Sequence, residues 1–485
     1  MKEFDFERIP IVEIANEILM DGVNKGASDI HFDPAKDSLK IRFRIDGLLY
    51  DYGIVPEKYK RNMISRIKMI AGMNIMETRL PQDGAIKSKI GDRLLDLRVS
   101  TLPTNNAEKI VIRILDYSMS LAGLDNLGFS PESMEKINKL LKMPNGIILV
   151  TGATGSGKST TLYSMLQKLN TENVNIITVE DPVEMDIAGI NQVQTQSEIG
   201  LTFATILRSI LRQDPNIIMI GEIRDDETAR IAVRASITGH LVFSTLHTNN
   251  SLNTIERMTD MDVERYLLGS SLEGIISQSL ARKLCPHCRI KKATTDYEKQ
   301  VFKTILNKDV NEMYVANKEG CAQCSHGYRG RLAVLEVLVL TEEIKDAITR
   351  NASKPELREL VYGGDVVTLL QDGLNKVLLG ETTFEEILKI VDLENDVNTY
   401  KDDNLRTNMM IAQKMHAKDE FKINDSAPTI SEPTNNKDLG NTTTTSNSEN
   451  SENENIINEK SSLEEAKVEP DIDNTPSFNF ETLNF

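Results

Sequence analysis

The run Gly152-Ala-Thr-Gly-Ser-Gly157-Lys158-Ser159 constrains this chain more than any other segment. It fits G-x-x-x-x-G-K-[ST] at every fixed position and follows a short apolar run, Ile147-Ile-Leu-Val150. Glycines at these places let a backbone wrap a polyphosphate with its N–H groups turned inward. A helix beginning near Lys158 adds the positive end of its dipole. Gly152, Ala153, Thr154, Gly155, Ser156, Gly157, Lys158, Ser159 and Thr160 are therefore the candidate phosphate site. Lys158 is expected to reach the β- and γ-phosphates, and Ser159 to ligate Mg²⁺. An ordinary glycine-rich turn lacks the strand before and the helix after.

Three further short apolar runs have the same character: Ile176 to Val179, Ile217 to Ile220 and Leu241 to Ser244. Each lies between helical stretches, which predicts an α/β fold with a parallel sheet covered on both faces. Ligands of such sheets sit at the carboxyl ends of the strands. Glu180-Asp181-Pro182-Val183-Glu184 follows the first run, and Gly221-Glu222-Ile223-Arg224-Asp225 the second. A phosphate loop needs an acid for the metal and a group that positions water. Glu222 is the candidate for that site, and Glu180 for a second polarising carboxylate. His240 and His247 flank the third run; a lone histidine is usually structural, but His247, at the strand's far end, is placed to sense a γ-phosphate.

The rest of the chain divides around this core. Residues 1–118 read as an α+β domain. Ile11, Ile14, Ile18, Leu19 and Val23 have helical spacing. Leu39 to Ile45 alternates with period two and meets Asp46-Gly47, a turn signal; Leu94 to Val99 and Lys109 to Leu115 look like further strands. Residues 119–284 carry the phosphate loop, 285–331 the cysteines, and 332–394 a helical part. Residues 395–485 are rich in Asn, Ser, Thr and Glu and are expected to be disordered. From Lys401 to Phe485 there are 17 acidic and 8 basic side chains, so this tail accounts for much of the net charge of −17. Neither part has the basic surface of a general nucleic-acid binder. No apolar run of roughly eighteen residues occurs, and Met1 to Pro10 lacks the basic start and apolar stretch of a signal peptide. A cytoplasmic location follows, with any membrane contact made through a partner.

Cys285-Pro-His-Cys288 and Cys321-Ala-Gln-Cys324 are the only cysteines. Two close pairs in a cytosolic chain suggest metal rather than disulfides. Cys285, Cys288, Cys321 and Cys324 make a four-sulfur set suited to structural Zn²⁺.

Together these motifs resemble the secretion-type ATPases of type II secretion and type IV pilus assembly. The matching blocks are Gly152 to Ser159, Ile177 to Glu184, Leu211-Arg-Gln-Asp-Pro215 through Asp225, and Thr238 to Asn249. In the first domain they are Ala27 to Phe32, Ile41 to Gly47, Arg79 to Gly84 and Arg98 to Pro103; later come Tyr266 to Ser271 and Gln278 to Cys288. The likeness spans about Val12 to Glu394. It implies a RecA-like P-loop ATPase domain preceded by an α+β domain, using ATP and Mg²⁺, in a homo-hexameric ring with ATP at the subunit interface. The three strand-end blocks resemble the family's Asp box, Walker B and His box. Arginines of the first domain are implied to reach the phosphates when the ring closes; by matching blocks these are Arg98 and Arg113, with Arg79 a third candidate. An arginine delivered in this way stabilises developing charge. The implied partner is a polytopic platform protein of the inner membrane.

Two departures stand out. Larger family members carry a further N-terminal domain that docks on the membrane machinery, and only about ten residues precede the first matched helix here. The acidic tail lies outside the family pattern. The tetracysteine element is carried by assembly members of the family and typically not by retraction members, which favours extension or secretion. The competing reading is a RecA-like nucleic-acid-dependent ATPase or helicase; the charge argues against it, and stimulation by single-stranded DNA discriminates the two.

Overall fold

The computed structural model describes residues 1–90, 93–116, 123–391 and 477–479. All of them fall in one compact unit. Helix α1 (Ile11–Asn24) turns Ile14, Ile18, Leu19 and Val23 inward. Strands β1 (Ala27–Pro34), β2 (Ser38–Ile45) and β3 (Leu48–Pro56) follow, then α2 (Glu57–Ile70) and strands β4 (Gln82–Ile90), β5 (Arg93–Pro103) and β6 (Glu108–Asp116). They form an antiparallel sheet in the order β4-β5-β6-β1-β2-β3. In β2 the buried residues are Leu39, Ile41 and Phe43, alternating with Lys40, Arg42 and Arg44. That period of two puts one face against α1 and α2 in a core containing Phe32, Phe43, Met63 and Ile67. Asp46 and Gly47 both have positive φ, 48° and 88°, as a two-residue hairpin turn of this hand requires. Expectations for the first helix, the strand at Leu39 to Ile45 and its turn are met.

The second sheet follows helix α3 (Pro131–Leu140), whose N-cap Ser130 accepts from the Ser133 N–H. Its elements alternate: β7 (Gly146–Thr151), α4 (Lys158–Leu169), β8 (Ile176–Glu180), β9 (Asn191–Gln194), α5 (Phe203–Ile210), β10 (Ile217–Ile220), α6 (Asp226–Ile237), β11 (Leu241–Leu246), α7 (Ser251–Asp260), α8 (Arg265–Ser271) and β12 (Leu272–Leu284). After the cysteine segment, with its small strands β13 (Ile290–Ala293) and β14 (Glu312–Val315) around α9 (Asp296–Leu306), the chain returns as β15 (Tyr328–Val339). Helices α10 (Glu342–Thr349), α11 (Lys354–Tyr362), α12 (Leu369–Leu378) and α13 (Phe384–Ile390) close it.

The strand order is β15-β12-β7-β11-β10-β8-β9. Every pairing is parallel except that of β12 with β15. All residues of β7, β8, β10 and β11 are buried. Ile147, Leu149, Ile218 and Val242 enter the core on one face; Ile148, Val150, Met219 and Phe243 enter the core on the other. Burial on both sides explains why these strands read as unbroken apolar runs.

Two features differ from the sequence reading. Leu332–Val339 lies in β15 and not in a helix, so the helical part begins at Glu342. The expected disorder of 395–485 concerns residues outside those described, save for β16 (Ser477–Asn479), which pairs in parallel with β4. Among the described residues no helix is long and apolar enough to cross a membrane.

Lys68 and Glu108 form an ion pair of 2.7 Å beneath the N-terminal sheet, with side chains 1 % and 5 % exposed. Lys68 also donates to the Glu77 carbonyl at 2.6 Å. Removing one partner leaves a buried charge uncompensated, so Glu108→Ala is expected to cost about 3–5 kcal/mol, read as a lower midpoint in denaturant unfolding followed by tryptophan-free circular dichroism.

Candidate active site

Four parallel strands, β7, β11, β10 and β8, end at the same edge of the sheet. Beyond β7 the chain enters Gly152–Gly157, where Gly152, Gly155 and Gly157 adopt φ of 144°, 81° and 88°. Helix α4 begins at once, with Gly157 as its left-handed N-cap. Gly152 is required by space as well as by φ: a Cβ there lies 2.2 Å from the Gln278 carbonyl oxygen. Lys158 is buried and folds back, donating from Nζ to the carbonyls of Gly152 at 2.9 Å and Ala153 at 3.1 Å. Burial pushes its pKa below the usual lysine value, and the charge of Glu222 opposes that shift. Ser159 stands exposed at the mouth of the loop and Thr160 beside it is half-buried. Among the described residues the buried hydroxyl of Ser156 has no hydrogen-bond partner.

Gln278 on β12 holds the loop from outside. Its Nε2 donates to the Ser156 carbonyl at 2.8 Å, and its Oε1 accepts from Thr161 Oγ1 at 2.7 Å. Next to it, Thr151 donates to Ser277 Oγ at 3.1 Å.

Glu180 ends β8 and is buried. Oε1 accepts from Thr178 Oγ1 at 2.5 Å and Gln192 Nε2 at 3.0 Å, and Oε2 accepts from the Tyr163 hydroxyl of α4. Burial, then the charge of Glu180, pushes the Tyr163 phenol well above its ordinary pKa, so it stays a donor. Both oxygens of Glu180 are therefore committed to the protein.

Glu222 is held differently. Its backbone neighbours are fixed between strands: Gly221 N–H donates to the Val179 carbonyl at 2.7 Å, and Ile223 N–H to that of Thr245 at 3.1 Å. Its carboxylate accepts from Arg224 and lies 3.2 Å from His247 Nε2. Burial raises its pKa, but the hydrogen bonds and charges of Arg224 and His247 outweigh burial and hold it below the usual range. Arg224 also reaches Asp181 at 3.4 Å. Asp225 is the N-cap of α6, accepting from the Thr228 N–H at 2.8 Å. His240, at the opposite end of β11, bonds the Ala235 carbonyl through Nδ1 at 2.8 Å. The two histidines thus separate into one beside an acid and one in a turn.

The structure brings Lys158, Glu222 and His247 together with Glu180 at one edge. Arg98 and Arg113 are register partners on β5 and β6. Arg98 Nη2 lies 3.0 Å from Glu184 and donates to the Val183 carbonyl at 3.4 Å, so it reaches the segment after Glu180. Burial raises the Glu184 pKa, and Arg98 pulls it down. Arg113 pairs with Asp29 at 3.2 Å. Arg79 pairs with Glu77 in solvent at 2.7 Å. Sequence reasoning missed Tyr163, Gln192 and Gln278, whose partners are 17, 12 and up to 122 residues away.

The four cysteines converge with all sulfurs within 4.8 Å of one another. The separations are 3.8 Å for Cys285–Cys321, 3.5 Å for Cys288–Cys324 and 3.6 Å for Cys321–Cys324. Tetrahedral Zn²⁺ with bonds of about 2.3 Å places its sulfurs about 3.8 Å apart, so the set fits that ion. The Cys321 N–H donates to Cys324 Sγ at 3.2 Å, a second contact suited to a thiolate.

The mostly parallel sheet, with its glycine-rich loop after β7, two strand-end acids and a cysteine cluster, is the frame in which the likeness to known proteins falls. The model of the type II/IV secretion system protein family matches residues 5–389. The chain is 46 % identical over 383 residues to type II secretion system protein E of Xanthomonas campestris pv. campestris, covering 79 % of this chain and 68 % of that protein. It is 45 % identical over 381 residues to the type IV pilus assembly ATPase PilB of Myxococcus xanthus, covering 78 % and 67 %. The chain belongs to the type II/IV secretion system protein family. Among solved structures it is similar to the ATPase DotB of Legionella pneumophila (TM-score 0.59, 22 % identity, covering 80 % and 97 %). It is also similar to the pilus retraction motor PilT with bound ADP (TM-score 0.50, 25 % identity, covering 82 % and 98 %).

Gln278→Ala leaves the Ser156 carbonyl and the Thr161 hydroxyl without partners in a buried place. The expected cost is about 1–3 kcal/mol of stability, measured by thermal unfolding with and without added nucleotide.

Proposed function

We propose that this chain is an ATP-hydrolysing motor that powers assembly of a type IV pilus or a type II secretion pseudopilus, pilus extension first among them. The observation that carries the reading is the meeting of Lys158, Glu222 and His247 at the carboxyl edge of the sheet, in a chain of this family. Gly152 to Thr160 bind the phosphates of ATP. Ser159 and Glu222 would hold Mg²⁺, which when bound would supply charge neutralisation on the phosphates. Glu222, the less committed acid, is the group that positions water; Glu180, tied down by Tyr163, Thr178 and Gln192, shapes the site and adds its charge. His247 reports the γ-phosphate to Glu222 through their contact.

The working form is a homo-hexamer at the cytoplasmic face of the inner membrane, held there by a polytopic platform protein and binding no nucleic acid. Its parts are an α+β domain over 1–118, a RecA-like ATPase domain over 119–284, a zinc subdomain over 285–331, a helical part over 332–394 and a disordered tail over 395–485. Ring closure moves Arg98 and Arg113 from Glu184 and Asp29 toward phosphate. Support comes from their position on one face of the sheet and from the Arg98 contact with the segment after Glu180.

A chromosomal Lys158→Ala substitution tests the function, with surface filaments, secreted protein and DNA uptake scored together. Loss of filaments with the other two intact is the expected result; no change in any of the three overturns the motor reading. For the cysteines, metal analysis of freshly purified protein is expected to give roughly one zinc per chain, lost in Cys321→Ser. Zinc-free protein with its ordinary fold counts against the site.

A further inference from the structure

Strand β15 carries one carboxyl group in the middle of its buried stretch. Glu336 is wholly enclosed and pairs in register with Ser277 of β12. Leu338, two residues on and so on the same face, packs in the core that holds Leu252 and Ile255 of α7. A carboxyl buried among such residues is costly unless it is hydrogen-bonded. An apolar residue would suit the strand as well, so the acid answers a need outside the sheet.

That need lies at the start of α7. Glu336 Oε1 accepts from the Ser251 N–H at 2.8 Å. Ser251 is the first residue of α7, and the N–H groups of a helix's first turn have no partner within the helix. The hydroxyl of Tyr362, the last residue of α11, reaches the same oxygen more loosely, at 3.5 Å. Burial raises the Glu336 pKa, and the hydrogen bonds from Ser251 and Tyr362 offset only part of that rise. What this side chain brings to the helix is therefore the reach of an acceptor more than a charge.

The rest of the turn is tied down as well. Asn250, the N-cap, accepts from the Asn253 N–H at 2.8 Å, and its carbonyl accepts from Thr254 Oγ1 at 2.8 Å. Thr248 Oγ1 lies 2.7 Å from Thr254 Oγ1. Only His247, Thr248 and Asn249 separate the end of β11 from this cap. The strand fixes one end of that span and the capped helix the other. We propose that Glu336 is a positioning residue for His247: by holding the first N–H of α7 it fixes the far end of the His247 loop, and so where His247 stands relative to Glu222. Through Tyr362 the same carboxyl ties this loop to the C-terminal helices. The inference rests on the reading above in which His247 senses the γ-phosphate.

Calorimetric titration of the full chain with ADP and with the β,γ-imido analogue of ATP tests it. Aspartate at 336 keeps the acid but draws its oxygens back by one methylene; glutamine keeps the reach. His247→Ala is expected to weaken the analogue about tenfold, as for one lost hydrogen bond, and to leave ADP unchanged. Glu336→Asp weakens the analogue and spares ADP in the same way, while Glu336→Gln binds both as wild type does. His247→Ala and Glu336→Asp combined bind the analogue no worse than His247→Ala alone, because both act through one side chain. If Glu336→Asp does not fold, Glu336→Met, which fills the space without an acceptor, takes its place with the same expectations. Losses that multiply in the double variant, or ADP and analogue weakened alike by the change at 336, overturn the proposal, as does a Glu336→Gln protein as impaired as Glu336→Asp. His247→Ala that weakens the analogue while the changes at 336 do not overturns this proposal and leaves the His247 reading standing. His247→Ala with wild-type analogue affinity overturns that reading and this proposal with it.

Discussion

The parallel register of β7, β11, β10 and β8 is the constraint on which the site depends. Each strand is short and buried on both faces, so packing fixes its ends, and the residue just beyond each end is placed without freedom. The loop after β7, Glu180 at the end of β8, Glu222 after β10 and His247 after β11 are neighbours for that reason alone. Backbone bonds between the ends, such as Gly221 to Val179 and Ile223 to Thr245, make the placement stiffer than side-chain contacts could. A one-residue slip of β10 would carry Glu222 away from Lys158 and His247 together.

The two acids divide by solvation. Glu180 is enclosed and takes three side-chain donors, which leaves it little to offer a ligand. Glu222 is less enclosed, and its partners, Arg224 and His247, are exposed side chains. The same logic separates the histidines, since His240 is bound to a carbonyl in a turn and His247 to an acid.

Much of this was legible in the sequence because its signals are contiguous. The phosphate loop is eight residues long, the strands of the second sheet are unbroken apolar runs, and each cysteine pair spans four residues. The Leu39 to Ile45 strand and its Asp46-Gly47 turn were equally plain. What was not legible depends on distant pairing. Gln278 meets Ser156 only because β12 lies beside β7, and nothing local to Gln278 says so. Leu332 to Val339 carries Glu336 within an apolar run, a pattern that fits a buried helix as well as a strand; its pairing with β12 decides the matter. The arginines of the first domain were found by resemblance, and their observed partners, Glu184 and Asp29, come from sheet register that the sequence does not display.

Glu222 is proposed to position the reacting water at a loop that binds ATP. A single-turnover measurement with radiolabelled ATP on the purified full chain tests it most directly, comparing wild type with Glu222→Gln. The expected result is unchanged ATP binding with cleavage slowed at least about a hundredfold. Cleavage at the wild-type rate in Glu222→Gln would contradict the claim and move the role to another group at the same edge.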